Sequence, residues 1–319
     1  MKAIVQKAYG SPEVLELEEV AAPRIRKGDD VLVRSEATAL HAGDVFCMRG
    51  VPWGVRLAVG FPKPKKGYVP GYDVAGRVEA VGDGVTRLEP GDEVFGAVSG
   101  GGCAEYACAK EETLVAKPAE ISFEEAASVP TSALAALHGL RDAGKVQRGQ
   151  KVLINGASGG VGHFAVQIAK SLGAEVTGVC SSRNVELVRS IGADRVIDYT
   201  EQDFAEGDER YDLILDNVAS RTFSEYRRVL KPEGKVLPNS GHAGMGYVLK
   251  AMLRSAFDRQ QGRPYLSVPS RADLLALKEL LESEELAPVI DKTVPLAEAP
   301  AALAYLAEGH ARGKVVVTL

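Results

Sequence analysis

Lys151-Val152-Leu153-Ile154-Asn155-Gly156-Ala157-Ser158-Gly159-Gly160-Val161-Gly162 decides the fold. A short apolar run ends in a glycine-rich turn, and Val161 to Leu172 continues with helical spacing. Strand, glycine turn and helix in that order form the context of a dinucleotide cradle. Turn residues without Cβ atoms take unusual dihedrals and let the backbone approach a diphosphate. The helix then presents free N–H groups and its positive dipole end to the anion. Gly156, Ser158, Gly159, Gly160, Val161 and Gly162 are therefore cofactor-binding candidates. The spacing is GxxGxxG, because Ala157 occupies the first glycine place of the strict GxGxxG form. A turn that merely permits tight helix–sheet packing is the competing reading.

Downstream, strands and helices alternate. Strands are expected at Glu175 to Cys180, Arg195 to Ile197, Tyr211 to Asp216 and Lys235 to Pro238. Helices are expected at Val185 to Ile191 and Phe223 to Leu230. Continuous apolar strands in such alternation imply a parallel sheet covered on both faces, the doubly wound architecture. Upstream, Ser122-Phe123-Glu124-Glu125 reads as a capping box opening a helix. Before it lie short strands punctuated by Gly, Pro and Asp, the pattern of a compact β domain. The Pro52 to Pro70 stretch reads as a long loop, either a substrate edge or a solvated surface. After Tyr265 come helices at Ala272 to Leu281 and Ala297 to Ala307, then a strand from Lys314 to Leu319.

The nucleotide is read from the end of the second strand, Val179-Cys180-Ser181-Ser182-Arg183-Asn184. An NAD site places a carboxylate there for the ribose 2′-hydroxyl. No acid is present in the stretch. Ser181, Ser182 and Arg183 suit a 2′-phosphate, since a guanidinium fork pairs with phosphate oxygens. This points to NADP(H). The serines also suit capping of the next helix.

The chain has 319 residues, enough for two domains. Its formal charge of −5 gives no general attraction to nucleic acid or to an anionic membrane. Four cysteines form no CxxC pair and suggest no disulfide framework, which fits a reducing, cytoplasmic setting. No apolar run is long enough to span a bilayer, and the opening MKAIVQKAYG lacks a signal-peptide core.

Taken together these stretches resemble the medium-chain dehydrogenase/reductase superfamily, in its zinc-free quinone oxidoreductase branch. The likeness is carried by Asn155 to Gly162, by Val185 to Asp194 and by Ile197-Asp198-Tyr199. Gly71-Tyr72-Asp73-Val74-Ala75-Gly76 and Pro90-Gly91-Asp92-Glu93-Val94 resemble the family's GroES-like domain, and Ala311 to Val316 its closing strand. The resemblance implies a discontinuous GroES-like β-rich catalytic domain, 1–121 and 266–319, around a Rossmann NADP-binding domain, 122–265. It implies a cofactor cleft, contacts from Ser181 to Arg183 and Tyr199 to the 2′-phosphate, Lys314 near the cofactor, and a homodimer.

The catalytic zinc places of related alcohol dehydrogenases fall on His41, Tyr72 and Thr131. Only His41 is an ordinary zinc ligand, so no metal is expected. Thr131 is carried over as a cofactor contact. Where many relatives hold a threonine near the nicotinamide, this chain has Ala135. Cys103 and Cys108 read as small buried hydrophobes. His138, His163, His242 and His310 lack metal spacing, and His163 is expected at the surface.

Without a metal to polarise a carbonyl, electron-poor acceptors are favoured. The expected reaction is hydride transfer to a quinone or an α,β-unsaturated carbonyl, with His41, Asp44 and Tyr72 as catalytic candidates. Asp44 either orients His41 or caps the helix that follows. Two other functions stay open: an NADPH-binding sensor with little turnover, and an alcohol dehydrogenase with atypical zinc ligands.

Overall fold

The structure, a computed structural model, describes residues 1–239 and 244–319. His242 lies outside the described residues. The chain divides into two compact units. One comprises Met1–Thr131, Val268–Glu282 and Pro288–Leu319; the other comprises Ser132–Ser267 and Ser283–Ala287.

The first unit opens with β1 (Lys2–Gln6) and β2 (Leu15–Glu19), an antiparallel pair. β3 (Asp30–Leu40) follows, then α1 (Ala42–Arg49), α2 (Val55–Val59), β4 (Asp73–Val81), β5 (Glu93–Ala97), β6 (Tyr106–Lys110), β7 (Leu114–Ala116) and α3 (Phe123–Ser128). The Pro52 to Pro70 stretch is thus not wholly irregular. The short helix α2 forms inside it and buries Val59. α3 is capped as its sequence predicts: Ser122 Oγ accepts from Glu125 N, and Glu125 Oε2 accepts from Ser122 N. The helix packs on β3 and β4. Its residues therefore belong to the first unit, whose opening segment runs to Thr131 rather than stopping before Ser122.

The second unit begins within α4 (Pro130–Leu137) and runs through β8 (Lys151–Asn155), α5 (Gly162–Ser171), β9 (Glu175–Cys180), α6 (Val185–Ser190), β10 (Arg195–Asp198), β11 (Tyr211–Asp216), α7 (Phe223–Arg228), β12 (Leu230–Pro238) and α8 (Gly244–Ser255). Its five strands pair in the order β10-β9-β8-β11-β12, all parallel. This is the doubly wound order, in which the first strand of the unit lies mid-sheet and the chain reverses direction beside it. Leu153, Ile154, Ile214 and Leu215 are fully buried, as a sheet covered on both faces requires. Ala287 joins this unit from far along the chain, because Gln167 on α5 donates to its carbonyl (3.0 Å) and accepts from its N–H (2.8 Å).

The chain returns to the first unit with α9 (Arg271–Glu282), β13 (Ile290–Pro295), α10 (Ala299–Ala307) and β14 (Lys314–Thr318). β14 lies antiparallel to β3, which lies antiparallel to β4. The two chain ends thereby share one seven-stranded sheet, and Ile4, Leu40, Met48, Leu303 and Val315 pack into one core.

Candidate active site

In the second unit the cradle is built by backbone. Gly156 and Ala157 both donate to Val179 O, at 3.1 and 2.9 Å, which fastens the turn to the end of β9. Gly156 has φ +76, a left-handed conformation open to glycine. A Cβ on Gly162 would stand 2.0 Å from Gly156 O. No side chain caps α5, although its His163 N–H is already taken by Gly159 O (3.1 Å). The donor set and the missing Cβ atoms fit the diphosphate of a dinucleotide.

His163 is buried, contrary to the surface position expected of it. Its Nδ1 lies 2.9 Å from Gly159 O and its ring lies on Phe164, so it serves as part of the turn's footing.

Ser158 sits beside Ser181 through a shared partner. Asn184 Nδ2 donates to Ser158 Oγ (3.0 Å) and to Ser181 Oγ (3.3 Å). Arg183 and Tyr199 are exposed at the same strand ends, Tyr199 at 54%. At that exposure the Tyr199 ring is not packed on the sheet. Ser181 makes no side-chain cap bond to the turn it precedes, so its hydroxyl is not consumed by capping.

An acid does stand at this rim, supplied by the third strand. Asp198 ends β10 opposite Cys180 in register, and Tyr199 N donates to Cys180 O. Thr200 N (2.9 Å) and Thr200 Oγ1 (2.7 Å) donate to Asp198 Oδ1, and Ser182 Oγ lies 2.8 Å from Thr200 Oγ1. Hydrogen bonds from Ser182 and Thr200 hold the Asp198 carboxyl below its ordinary range. Reading the second strand alone misses it.

In the first unit β3 ends at Leu40 and delivers His41 to the start of α1. His41 Nδ1 accepts from Gly43 N at 2.9 Å. The neutral ring therefore carries its proton on Nε2. That atom is buried and has no hydrogen-bond partner among the described residues. Burial pushes the imidazole down to about 4, so His41 is uncharged at neutral pH.

Asp44 is fully buried and joins two segments. Its Oδ2 accepts from His41 N (2.9 Å), and its Oδ1 accepts from Gly71 N (3.1 Å). Capping the helix and orienting His41 are thus one bond. Burial raises the Asp44 carboxyl to about 6. By gripping Gly71, Asp44 also sets Tyr72 in place. The His41 and Tyr72 ring centroids are 5.6 Å apart. The Tyr72 hydroxyl meets Tyr68 OH at 2.9 Å and Cys47 Sγ at 3.1 Å. Burial raises both phenols and the Cys47 thiol, so all three keep their protons at neutral pH.

Thr131 donates from both N (2.9 Å) and Oγ1 (2.5 Å) to Asp73 Oδ1. Lys314 Nζ lies 3.6 Å from Asp73 Oδ2. Both side chains are buried, and burial lowers the Lys314 ammonium. The places of a catalytic zinc are therefore occupied by an imidazole, a phenol and a hydroxyl already committed to a carboxylate. Among the described residues no three His, Cys, Asp or Glu side chains gather as a metal site. Tyr68, Cys47, Asp73, Asn184 and Asp198 escaped the sequence reading. Tyr68 alone left a local signal, since it stands four residues from Tyr72 across the Pro70-Gly71 turn. Cys103 is buried and Cys108 is half-buried.

Comparison with known proteins agrees with this architecture. Residues 27–119 match the alcohol dehydrogenase GroES-like domain, and residues 191–317 match the zinc-binding dehydrogenase model. A chloroplastic quinone-oxidoreductase homolog of Spinacia oleracea is 34% identical, over 99% of this chain and 98% of the relative. An NADPH-dependent alkenal/one oxidoreductase of Arabidopsis thaliana is 34% identical, over 99% of this chain and 79% of the relative. The solved quinone oxidoreductase of Coxiella burnetii superposes with a TM-score of 0.89 at 31% identity, covering 100% of this chain and 99% of that one. The chain belongs to the medium-chain dehydrogenase/reductase superfamily, in its zinc-free quinone oxidoreductase branch.

Proposed function

We propose that this chain reduces quinones or α,β-unsaturated carbonyl compounds with NADPH as reductant. The observation that carries the chemistry is the buried Nε2–H of His41, without a hydrogen-bond partner among the described residues, on a ring whose centroid is 5.6 Å from that of Tyr72. Two neutral donors held by a rigid scaffold suit an oxygen on which negative charge gathers during reduction. NADPH, when bound, supplies the hydride.

The chain's own residues divide the remaining work. Gly156 to Gly162 hold the diphosphate. Ser158, Ser181, Ser182, Arg183 and Tyr199 surround the adenosine 2′-phosphate. Thr131 and Lys314, which meet at Asp73, are the cofactor contacts proposed in the first unit. His41 and Tyr72 hydrogen-bond the acceptor oxygen, and Asp44 positions both. Tyr68 donates to Tyr72 or accepts from it, which keeps the phenol oriented. The Cys47 thiol, raised by burial, stays a poor nucleophile toward the electrophilic substrates the site would take.

An NADPH-oxidation assay across quinones, enals and enones tests the reading. Turnover of conjugated acceptors, with saturated ketones inert, is the expected result. Binding of NADPH without turnover of any acceptor would mark a nucleotide sensor instead.

His41→Ala should lower kcat about 10²-fold, the usual cost of losing one donor to a developing oxyanion, with the dissociation constant for NADPH unchanged. Because protonation of His41 is pushed down to about 4 and Asp44 titrates at about 6, kcat should stay level between pH 7 and 8. A step in kcat near pH 6.5 that disappears in His41→Ala would contradict the neutral-donor role. Arg183→Ala should raise KM for NADPH about tenfold or more by removing a charge-assisted bond, and should leave KM for NADH unchanged.

We also infer a homodimer working in a reducing compartment such as the cytoplasm, consistent with four free cysteines. Sedimentation should give twice the 33.8 kDa chain mass. Among the described residues no helix is long and apolar enough to cross a membrane.

A further inference from the structure

Building on the NADPH reading, we infer that Asp198 limits the chain's preference for NADPH and leaves NADH a usable partner. The geometry is a relay of hydroxyls leading away from the nucleotide rim. Asp198 Oδ1 takes both the N–H and the hydroxyl proton of Thr200. With its proton committed to Asp198, Thr200 Oγ1 can only accept from Ser182 Oγ, 2.8 Å away. Ser182 has one hydroxyl proton, and it points inward, to Thr200 Oγ1 or to the Asp198 carboxylate itself. What Ser182 offers outward is a lone pair.

An outward lone pair suits a donor, and the 2′-hydroxyl of an NADH ribose is one. A 2′-phosphate brings only acceptor oxygens at neutral pH and meets the Ser182 lone pair unfavourably. The Asp198 charge adds a second penalty. Its carboxyl ends β10 opposite Cys180, the residue just before Ser181, and is ionised throughout the neutral range. Carboxylate and phosphate at one rim repel, and solvent screens the repulsion without abolishing it. Arg183, exposed on the same turn, works in the opposite direction and favours the phosphate. Selectivity is then a balance between Arg183 and Asp198, read at one position of the cofactor.

Asp198→Asn isolates the charge. The asparagine carbonyl still accepts from Thr200, so the relay and the strand end keep their shape. Binding is measured by calorimetry with NADPH, NADH, 2′-AMP and 5′-AMP, and kcat is measured beside it. Relative to the wild-type chain, the affinity ratio NADPH/NADH should rise about fivefold or more, and 2′-AMP should gain as NADPH does. Affinity for 5′-AMP and kcat should not move. An unchanged ratio would overturn the inference. So would a lower ratio, which would make Asp198 a support of the phosphate pocket. If the wild-type chain binds neither dinucleotide, the NADPH reading itself falls. If it binds both and the ratio stays fixed in Asp198→Asn, only the role of Asp198 falls.

Discussion

Gly162→Val is expected to reduce NADPH affinity at least about a hundredfold. A Cβ at position 162 would lie 2.0 Å from Gly156 O, 2.8 Å from Gly156 C and 2.9 Å from Ala157 C. All three are backbone atoms of the turn, so no side chain can swing away to make room. The turn must shift, and it is already fixed at its other end by two bonds to Val179 O. Its N–H groups would leave the positions from which they face a diphosphate. Losing two hydrogen bonds to a charged group costs about 3–6 kcal/mol, which is about 10²–10⁴ in affinity. Fluorescence titration of NADPH against the variant checks this. Wild-type affinity in Gly162→Val would remove the cradle from the account.

Asp44→Ala is expected to destabilise the chain by about 2–4 kcal/mol and to lower kcat by more than His41→Ala does. The substitution strands two N–H groups, on His41 and on Gly71, in a fully buried place. It also frees the segments bearing His41 and Tyr72 from each other. Denaturant unfolding and steady-state kinetics measure the two effects.

A pH series on Asp44→Asn separates the charge from the clamp. Asp44 is raised from 3.8 to about 6 in the folded chain. Between those values the folded state keeps a proton that the unfolded state has lost. Asp44 therefore makes stability fall as pH rises through that window. His41, lowered from 6.5 to about 4, acts in the opposite sense over nearly the same range. The joint contribution of these two groups should then change little with pH there, because they oppose each other. Without the Asp44 charge, the stability of Asp44→Asn should rise between pH 4 and 6.

The parts of this molecule that were legible in the sequence are those with a local cause. The Gly156 to Gly162 turn announces itself because glycine is required at 156 by its positive φ and at 162 by lack of room for a Cβ. The capping box at Ser122 is written in four consecutive residues. Strand–helix alternation gives the parallel sheet, since each strand must be apolar on both faces.

What required the structure depends on lateral order. Asp198 approaches Ser182 because β10 lies beside β9, and nothing near residue 198 says so. Asp73 and Lys314 stand more than two hundred residues apart and meet through the β14–β3–β4 pairing. His163 reads as a polar residue at a helix start, yet the turn folds over it. The resemblance brought His41, Asp44 and Tyr72 together, but it could not say that Asp44 grips both neighbours through their backbones.

Calorimetric titration of the purified chain with NADPH examines the cradle without reference to any acceptor. Saturable binding at one site per chain is expected, lost in Gly162→Val and weakened in Arg183→Ala. Absence of heat and of saturation with both NADPH and NADH would contradict it.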